Sequence, residues 1–457
     1  MARTLRPMKR STISHKNNGV IDRQIFALAL PVLGTLIAEP LLTMADSAMI
    51  GHVGTAELGG LGTGSAILNF VVGMCIFVQY TTTSVAGKRL GMGDRAGAIG
   101  CGIQGMWMAA SIGVVLSIAV WYFAPSLTRI MGAKGDVAQQ SIIYLHYSSP
   151  GLVFMLVFLS ANGAMRGLMN TQIPFIVSTI GTFANIPLNA FFIYGLHLGV
   201  AGAGLGTVIA QAFMSIVLFS FIAKAAYHYS VPIRPILRQI IHSGLQGAPL
   251  VIRTLSLQLG VMTTVWIAIS MGKHILGAHQ IVRSIYFFTV FSMDALAIAA
   301  QALIANAIGA GDRQKVRSVI SRCIFWGTIS GAALMLILVS LSAVLPHLFT
   351  TDAAVLDTAW IGLIACAVWL PLSGAVFMYD GILIGAGDVR YLAFSQLIVP
   401  LIYLPVAFSM RYLFGGGALG LVLLWCGYGC VFMGVRLITL VLRARSDEWI
   451  IKAENKI

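Results

Sequence analysis

The strongest constraint on this chain is a series of long stretches without a single Asp, Glu, Lys or Arg. A helix needs about 20 apolar residues to cross the ~30 Å hydrocarbon core of a membrane. Runs of that length or more are Leu58–Gly87, Ala96–Thr128, Val137–Met165, Gly167–Ala223, Cys323–Thr351, Thr358–Tyr379, Tyr391–Met410 and Tyr412–Val435. The sequence therefore predicts an all-α polytopic membrane protein.

Composition and charge placement exclude the common soluble classes. Only 10% of the residues are charged, against roughly 25% in an ordinary soluble domain. The net charge of +14 would suit a nucleic-acid partner, but the basic residues fall between the apolar runs, so we expect none. Lys and Arg concentrate in alternate loops, as the positive-inside rule describes. This bias predicts a protein of the cell (inner or plasma) membrane with both termini in the cytoplasm.

The spans and the loops between them define the predicted organisation. The run Gly167–Ala223 is too long for one helix, and Tyr194–Gly199 divides it. Charged spans near 24–50, 243–270 and 281–308 bring the prediction to twelve helices. The predicted domains are an N-terminal tail (1–22), an N-lobe of six helices (23–225), an inter-lobe linker (226–242), a C-lobe of six helices (243–442) and a C-terminal tail (443–457), with both tails and the linker cytoplasmic.

The two predicted lobes are copies of one another. Pro31 and Pro249 differ by 218 positions, as do Gly91 and Gly309, and GMGDR in the first half matches GAGDR in the second at the same offset. An even number of helices per copy gives both copies the same orientation, so they must be related by an axis along the membrane normal. Two pseudo-symmetric six-helix bundles around a central cleft are typical of transporters.

The sequence lacks the motifs of an ATP-driven pump or a metal-dependent membrane enzyme. It has no GxxxxGK[ST] phosphate loop, no HExxH and no CxxC, so we expect neither an enzyme nor an organic or metal cofactor. A structural or enzymatic membrane protein is the alternative. Concentrative transport without an ATPase must draw on an ion gradient.

The first helix carries two carboxylates within its span. Glu39 and Asp46 lie seven residues apart, which places them on one face of a helix and ~10 Å apart along its axis. Ionisable groups inside a membrane are costly and mark functional sites. Pro31 and Pro40 on the same helix favour a bend. The alternative is that Asp46 caps or hydrates the outer helix end; the repeat places Thr264, not an acid, opposite it.

Polar side chains on later helices are candidate partners of the first-helix acid. Asn185 and Asn189 lie at positions i and i+4, on one face of the fifth span, and Tyr144 and Thr207 add hydroxyl groups on the fourth and sixth. Each could serve as an interhelical hydrogen-bond partner or as a ligand. With Asp46, the set Asn185, Asn189 and Thr207 is a candidate Na⁺ site.

The second half has its own intramembrane charges. Asp294 and Arg253 form a candidate C-lobe polar site, in which they neutralise one another as a pair or Asp294 acts on substrate or gating. Asp380 and Asp388 precede Arg390 at a predicted inner helix end. We expect these two acids to be solvated.

Several segments resemble the multidrug and toxic-compound extrusion (MATE) transporters. These segments are MADSAMIGHVG (Met44–Gly54), GMGDR, and NIPLNAFFIYG (Asn185–Gly195) followed by GVAGAGLGTVIAQ. The segments IRTLSLQ (Ile252–Gln258) and SMDALAIAAQAL (Ser292–Leu303) are similar to the DinF subfamily. The resemblance covers the chain from about residue 22 to residue 443.

The resemblance implies a V-shaped pair of six-helix lobes that exports organic cations and amphipathic drugs in exchange for H⁺ or Na⁺. The family's first-helix aspartate falls on Asp46, and its bending proline falls on Pro31. The cation-site companions of that aspartate fall on Tyr144, Asn185, Asn189 and Thr207.

One departure from the family favours protons as the coupling ion. Related transporters often have a second aspartate where this chain has Asn189, so Asp46 remains the main titrating group, assisted by Glu39. The alternatives are a Na⁺-coupled antiporter and a flippase for lipid-linked or amphipathic substrates. We expect small-molecule substrates and membrane lipid as partners, and a monomer.

Overall fold

The computed structural model describes residues 15–414, 417–446 and 448–454. The first half contains α1 (His15–Gly51), α2 (Thr55–Cys75), α3 (Phe77–Gly91), α4 (Arg95–Ile130), α5 (Gly135–Ser148), α6 (Gly151–Gly167), α7 (Gln172–Ala190), a π-helical segment (Phe191–Gly195) and α8 (Gly199–His228). The second half contains α9 (Leu237–Ser270), α10 (Lys273–Gly309), α11 (Arg313–Leu341), a 3₁₀ turn (Leu345–Leu348), α12 (Ala353–Ala367), α13 (Leu370–Ala386), α14 (Val389–Phe414), α15 (Ala418–Gly427), a π-helical segment (Tyr428–Met433), α16 (Gly434–Arg445) and α17 (Glu448–Glu454). Every regular element in the described ranges is helical, so the all-α prediction is confirmed.

The helices of the described ranges supply the predicted twelve spans when each of two bent helix pairs is counted as one span. Ten stretches in these ranges are long and apolar enough to cross a membrane as they stand. The pairs α5–α6 and α12–α13 pass the same test together and bend by 55° and 49° at their junctions. Pro150 lies at the first junction, where its missing N–H prevents the helix from continuing regularly. The two broken spans occupy corresponding places in the two halves.

The two halves pack against each other through corresponding residues. A Cβ on Gly91 of α3 would overlap the backbone oxygen of Asn306, and a Cβ on Gly309 of α10 would overlap that of Lys88. Both pairs obey the 218-residue offset of the sequence repeat. Helices α3 and α10 therefore cross at the pseudo-twofold axis, where only glycine permits the close approach.

Helix α1 contacts both lobes. In its own lobe, Gly34 lies directly under the ring of Phe175 on α7, so that any side chain at position 34 would clash with the ring. Across the interface, Val32 packs in one buried cluster with Ala295 and Ile298 of α10. A change in the course of α1 must therefore be felt by both lobes.

The start of α1 is also tied to the second lobe by an ion pair. Arg322 of α11 donates from Nε to Asp22 Oδ1 over 2.7 Å and from Nη2 to Oδ2 over 2.5 Å. Trp326 adds an indole N–H bond of 2.9 Å to the same carboxylate. This bidentate geometry is the strong form of an Arg–carboxylate contact, and it closes α1 onto α11 at the membrane face where α1 begins, called here the N-terminal face.

Candidate functional site

Three of the predicted first-lobe residues meet in one buried hydrogen-bonded cluster. Asn189 of α7 donates from Nδ2 to Asp46 Oδ1 of α1 over 2.6 Å, and also to Asn185 Oδ1 over 2.8 Å. Asp46 is 7% exposed, and both asparagines are 0% exposed. Because α7 places residues i and i+4 on one face, one amide group bridges the carboxylate and the second amide.

Glycines on the neighbouring helices make room for this cluster. A Cβ on Gly206 of α8 would overlap Asn189 Oδ1, so α8 can lie against the amide only because residue 206 has no side chain. Gly64 of α2 gives the same clearance to the ring of Tyr144 on α5. The glycines in these apolar helices thus serve close packing around polar side chains.

The other two predicted companions are placed differently. Tyr144 is buried beside the cluster, and its hydroxyl accepts from Ser65 Oγ over 3.4 Å. Thr207 donates from Oγ1 to the backbone oxygen of Ala203 in its own helix over 2.9 Å. Neither hydroxyl is hydrogen-bonded to Asp46 in the described part of the chain.

The cluster leaves two buried polar atoms without a hydrogen-bond partner among the described residues, Asn185 Nδ2 and Asn189 Oδ1. The Asn189 amide nitrogen occupies the position between the Asp46 and Asn185 oxygens, where a bound cation would need to lie. The oxygens fit a sodium ion only after the Asn189 side chain rotates and turns its own oxygen inward. Over the same described ranges, no group of three His, Cys, Asp or Glu side chains could hold a metal ion.

The remaining predicted first-helix residues lie along α1. Pro31 and Pro40 are both inside this helix, which runs unbroken from His15 to Gly51. Thr35 donates to the backbone oxygen of Pro31 over 3.1 Å. The side chain of Glu39 lies outside the described part of the structure, so its predicted role stays a prediction.

In the second lobe the structure corrects the predicted charge pairing. Arg253 of α9 donates to Asp380 Oδ2 of α13 over 2.8 Å, and Arg436 of α16 bonds to the same oxygen. The expected Arg253–Asp294 pair is wrong: no cationic nitrogen of a described residue lies within ion-pair distance of Asp294. Asp380 makes the contact because α13 packs against α16, which carries Arg436, and the long side chain of Arg253 reaches the same carboxylate from α9.

The prediction that Asp380 and Asp388 are solvated beside Arg390 is also wrong. Asp380 is 3% exposed. Asp388 accepts from Arg443 Nε over 2.7 Å, and the two side chains are 14% and 12% exposed. Each acid binds an arginine of α16. This helix continues beyond the charge-free run that ends at Val435, and its continuation was not predicted from the sequence.

Arg436 is the principal residue that the sequence argument missed. It is 3% exposed and directly follows the run Tyr412–Val435. The apolar sequence LITLVL continues behind it, and the helix runs on to Arg445. That continuation could have identified Arg436 as a buried residue, because an arginine followed by another apolar turn lies within a span and not at its end.

The comparisons with known proteins agree with the doubled architecture. The MatE family model matches residues 31–191 and 249–409. The chain is 28% identical over 94% of its length to Protein DETOXIFICATION 44, chloroplastic, of Arabidopsis thaliana, covering 84% of that protein. It is 25% identical over 65% of its length to DNA damage-inducible protein F of Escherichia coli, covering 66% of that protein.

A solved structure shares the whole fold. It is described as the outward-facing conformation of a multidrug resistance MATE family transporter, and it superposes with a TM-score of 0.84 at 20% identity. The match covers 95% of this chain and 97% of that one. The resemblance to MATE and DinF transporters, and the two-lobe fold expected from it, are therefore confirmed.

Proposed function

Because the chain belongs to the MatE family of membrane transporters, we propose that it exports organic cations and amphipathic drugs by antiport with protons. The observation that carries this proposal is the buried Asp46–Asn189–Asn185 cluster between α1 and α7. A relative named for detoxification supports the substrate class. The protein acts without enzymatic chemistry, as a monomer in the plasma membrane with both termini in the cytoplasm.

The hydrogen bonds of the cluster favour a proton over sodium. Two of its oxygens, on Asp46 and Asn185, already accept from the Asn189 amide nitrogen. A proton adds to a carboxylate without displacing this amide, whereas Na⁺ needs several oxygens turned toward it. Asp46 is the one carboxylate in the cluster, so a single proton removes its charge.

In the proposed cycle, deprotonated Asp46 accepts the Asn189 hydrogen bond and holds α1 against α7. Protonation from outside removes the charge that makes this bond strong. The outer part of α1 is then free to bend at Pro31 and Pro40 and to release the drug outward. Because α1 also packs on α10 through Val32, the bend reaches the other lobe.

The free energy of the Asn189–Asp46 hydrogen bond is large enough to couple protonation of Asp46 to the arrangement of α1. A hydrogen bond to a charged group contributes about 1.5–3 kcal/mol, and each 1.4 kcal/mol changes an equilibrium about tenfold. Losing the charged Asn189–Asp46 bond can therefore shift the balance of the two α1 arrangements by about 10- to 150-fold. A ligand shifts an equilibrium only by its differential affinity for the two states, and the proton meets that requirement here.

The proposal is tested by uptake of a fluorescent organic cation into everted vesicles that contain the protein, in sodium-free buffer with an imposed pH gradient. Accumulation that collapses on addition of a protonophore is the expected result. Accumulation driven only by a sodium gradient would replace the proton with Na⁺. If neither gradient drives uptake, the export proposal fails, and a lipid-scrambling assay tests the flippase alternative.

A further inference from the structure

A large cavity opens between the lobes at the N-terminal face. Its volume is about 1200 Å³, and it is bounded by α3 and α4 of the first lobe, by α9 and the α13–α14 junction of the second, and by the segment that joins α8 to α9. Most of the lining surface is apolar and includes Val85, Leu250 and Ile384, with the hydroxyl groups of Thr81 and Ser84 among them. This cavity is distant along α1 from the Asp46 cluster, because α1 begins at the N-terminal face and carries Asp46 near its other end.

The rim of this cavity is strongly basic. It carries Lys88 and Arg89 of α3, Arg238 and His242 of α9, and Arg390 of α14, and no described acidic residue lines it. Lys88 donates to a backbone oxygen over 2.7 Å, and Arg89 is paired with Asp94, outside the lining, at 3.2 Å. Arg238 and Arg390 form no hydrogen bond or ion pair with any described residue. Their charges are available to a ligand.

The internal repeat tests whether these charges serve only to orient the chain in the membrane. With the 218-residue offset of the repeat, the positions equivalent to Lys88, Arg89, Arg238, His242 and Arg390 are Asn306, Ala307, Val20, Gln24 and Gln172, in that order. None of them carries a charge. The rule that places basic residues on one membrane face can be met anywhere on that face, and the basic residues of α11 meet it outside this cavity. The basic rim is therefore a property of this cavity and not of the repeat.

The same correspondence shows that the cavity side of the axis and the other side are held by different contacts. On the other side, Asp22 binds Arg322 and Trp326 and draws α1 onto α11. The corresponding residues beside the cavity are Ile240, Gln104 and Met108, which cannot form this ion pair. Gln104 instead donates to the backbone oxygen of Arg234 over 3.0 Å and accepts from the Ile236 N–H over 2.8 Å, so α4 holds the segment before α9, and this segment forms part of the cavity wall.

We propose that this cavity binds an amphiphile with an anionic head group, a phosphate or a carboxylate, held by Arg238 and Arg390. The apolar wall takes the hydrocarbon part, and the basic rim takes the charge. Basic pockets between membrane helices bind anionic lipid head groups by this chemistry. Because α3 and α4 of the first lobe and α9 and the α13–α14 junction of the second wall the cavity, a ligand inside it contacts both lobes at this face. The site does not depend on the export proposal.

The test uses the full-length protein in phosphatidylcholine nanodiscs with a minor fraction of phosphatidylglycerol, and counts retained lipids by native mass spectrometry. Phosphatidylglycerol should be retained over phosphatidylcholine. The double variant Arg238→Gln with Arg390→Gln should bind it about tenfold more weakly. Lys224→Gln, an exposed change at the end of α8 on the same face, should bind like the parent. Arg238→Lys with Arg390→Lys keeps both charges and should retain most of the binding.

A second arm separates a lipid from a free anion. Inorganic phosphate is added to protein in pure phosphatidylcholine nanodiscs, and the thermal midpoint of unfolding is measured. Stabilisation by phosphate without selective lipid retention would overturn the amphiphile and assign the basic rim to a soluble anion. Equal retention of the two lipids together with no effect of phosphate overturns the proposal. Equal lipid binding by the double glutamine variant and by Lys224→Gln also overturns it.

Discussion

Substitution of Asp380 by Asn is expected to destabilise the protein strongly. Asp380 is 3% exposed and accepts from both Arg253 and Arg436. Asparagine fills the same space but leaves two guanidinium groups without a counter-charge in an apolar bundle. Removing one partner of a buried ion pair costs about 3–5 kcal/mol. Because one carboxylate serves two arginines here, we expect the upper part of that range.

The assay is equilibrium unfolding in mixed micelles of increasing denaturing-detergent fraction, with near-ultraviolet circular dichroism as the readout. The double variant Asp380→Asn with Arg436→Met leaves one uncompensated arginine, so it should be more stable than Asp380→Asn alone. The coupling between the two sites should be about 0.5–3 kcal/mol. Lys224→Gln, on the exposed end of α8, should stay within about 0.5 kcal/mol of the parent. An Asp380→Asn protein as stable as that control would refute the buried-triad argument.

Two further predictions concern the Asn189 amide beside α8 and the ion pair at the start of α1. Gly206→Ala places a methyl group against Asn189 Oδ1, so proton-driven uptake should fall at least about tenfold. The control Gly73→Ala, whose methyl group meets nothing within 4 Å, should transport at the parental rate. Equal uptake rates for the two variants would contradict the cluster geometry. Asp22→Asn weakens the ion pair to Arg322 and should shift the α1–α11 distance distribution at the N-terminal face toward longer values by about fivefold in population. Spin-label distance measurements check this, and an unchanged distribution would show that the ion pair does not hold α1 on α11.

The fold was predictable because the membrane leaves few choices. Unpaired backbone groups are too costly in lipid, so long apolar runs must be helices, and the 218-residue register between Gly91 and Gly309 determined the doubled plan. The breaks inside two spans were not predicted. They coincide with Pro150 at the first junction and with Pro371 in the first turn of α13 at the second, and the absence of charge along both runs gives no sign of a break.

The first-lobe site was partly predictable for a local reason. Asn185 and Asn189 share a face of any helix, and Asp46 is a rare acid in a span, so their meeting required only that α1 and α7 be neighbours. The second-lobe pairing was not predictable in this way. Arg253 pairs with Asp380 and not with Asp294 because of the arrangement of three helices, and no spacing along the chain encodes that arrangement.

The most direct test of the central claim compares Asp46→Asn with the parent protein in proteoliposomes. Two rates are measured: concentrative uptake driven by a pH gradient, and exchange of labelled for unlabelled drug without a gradient. We expect Asp46→Asn to lose pH-driven accumulation while still exchanging drug. Asp136→Asn, an exposed acid at the start of α5, should keep both activities. Full pH-driven accumulation by Asp46→Asn would contradict the assignment of Asp46 as the proton-coupling residue.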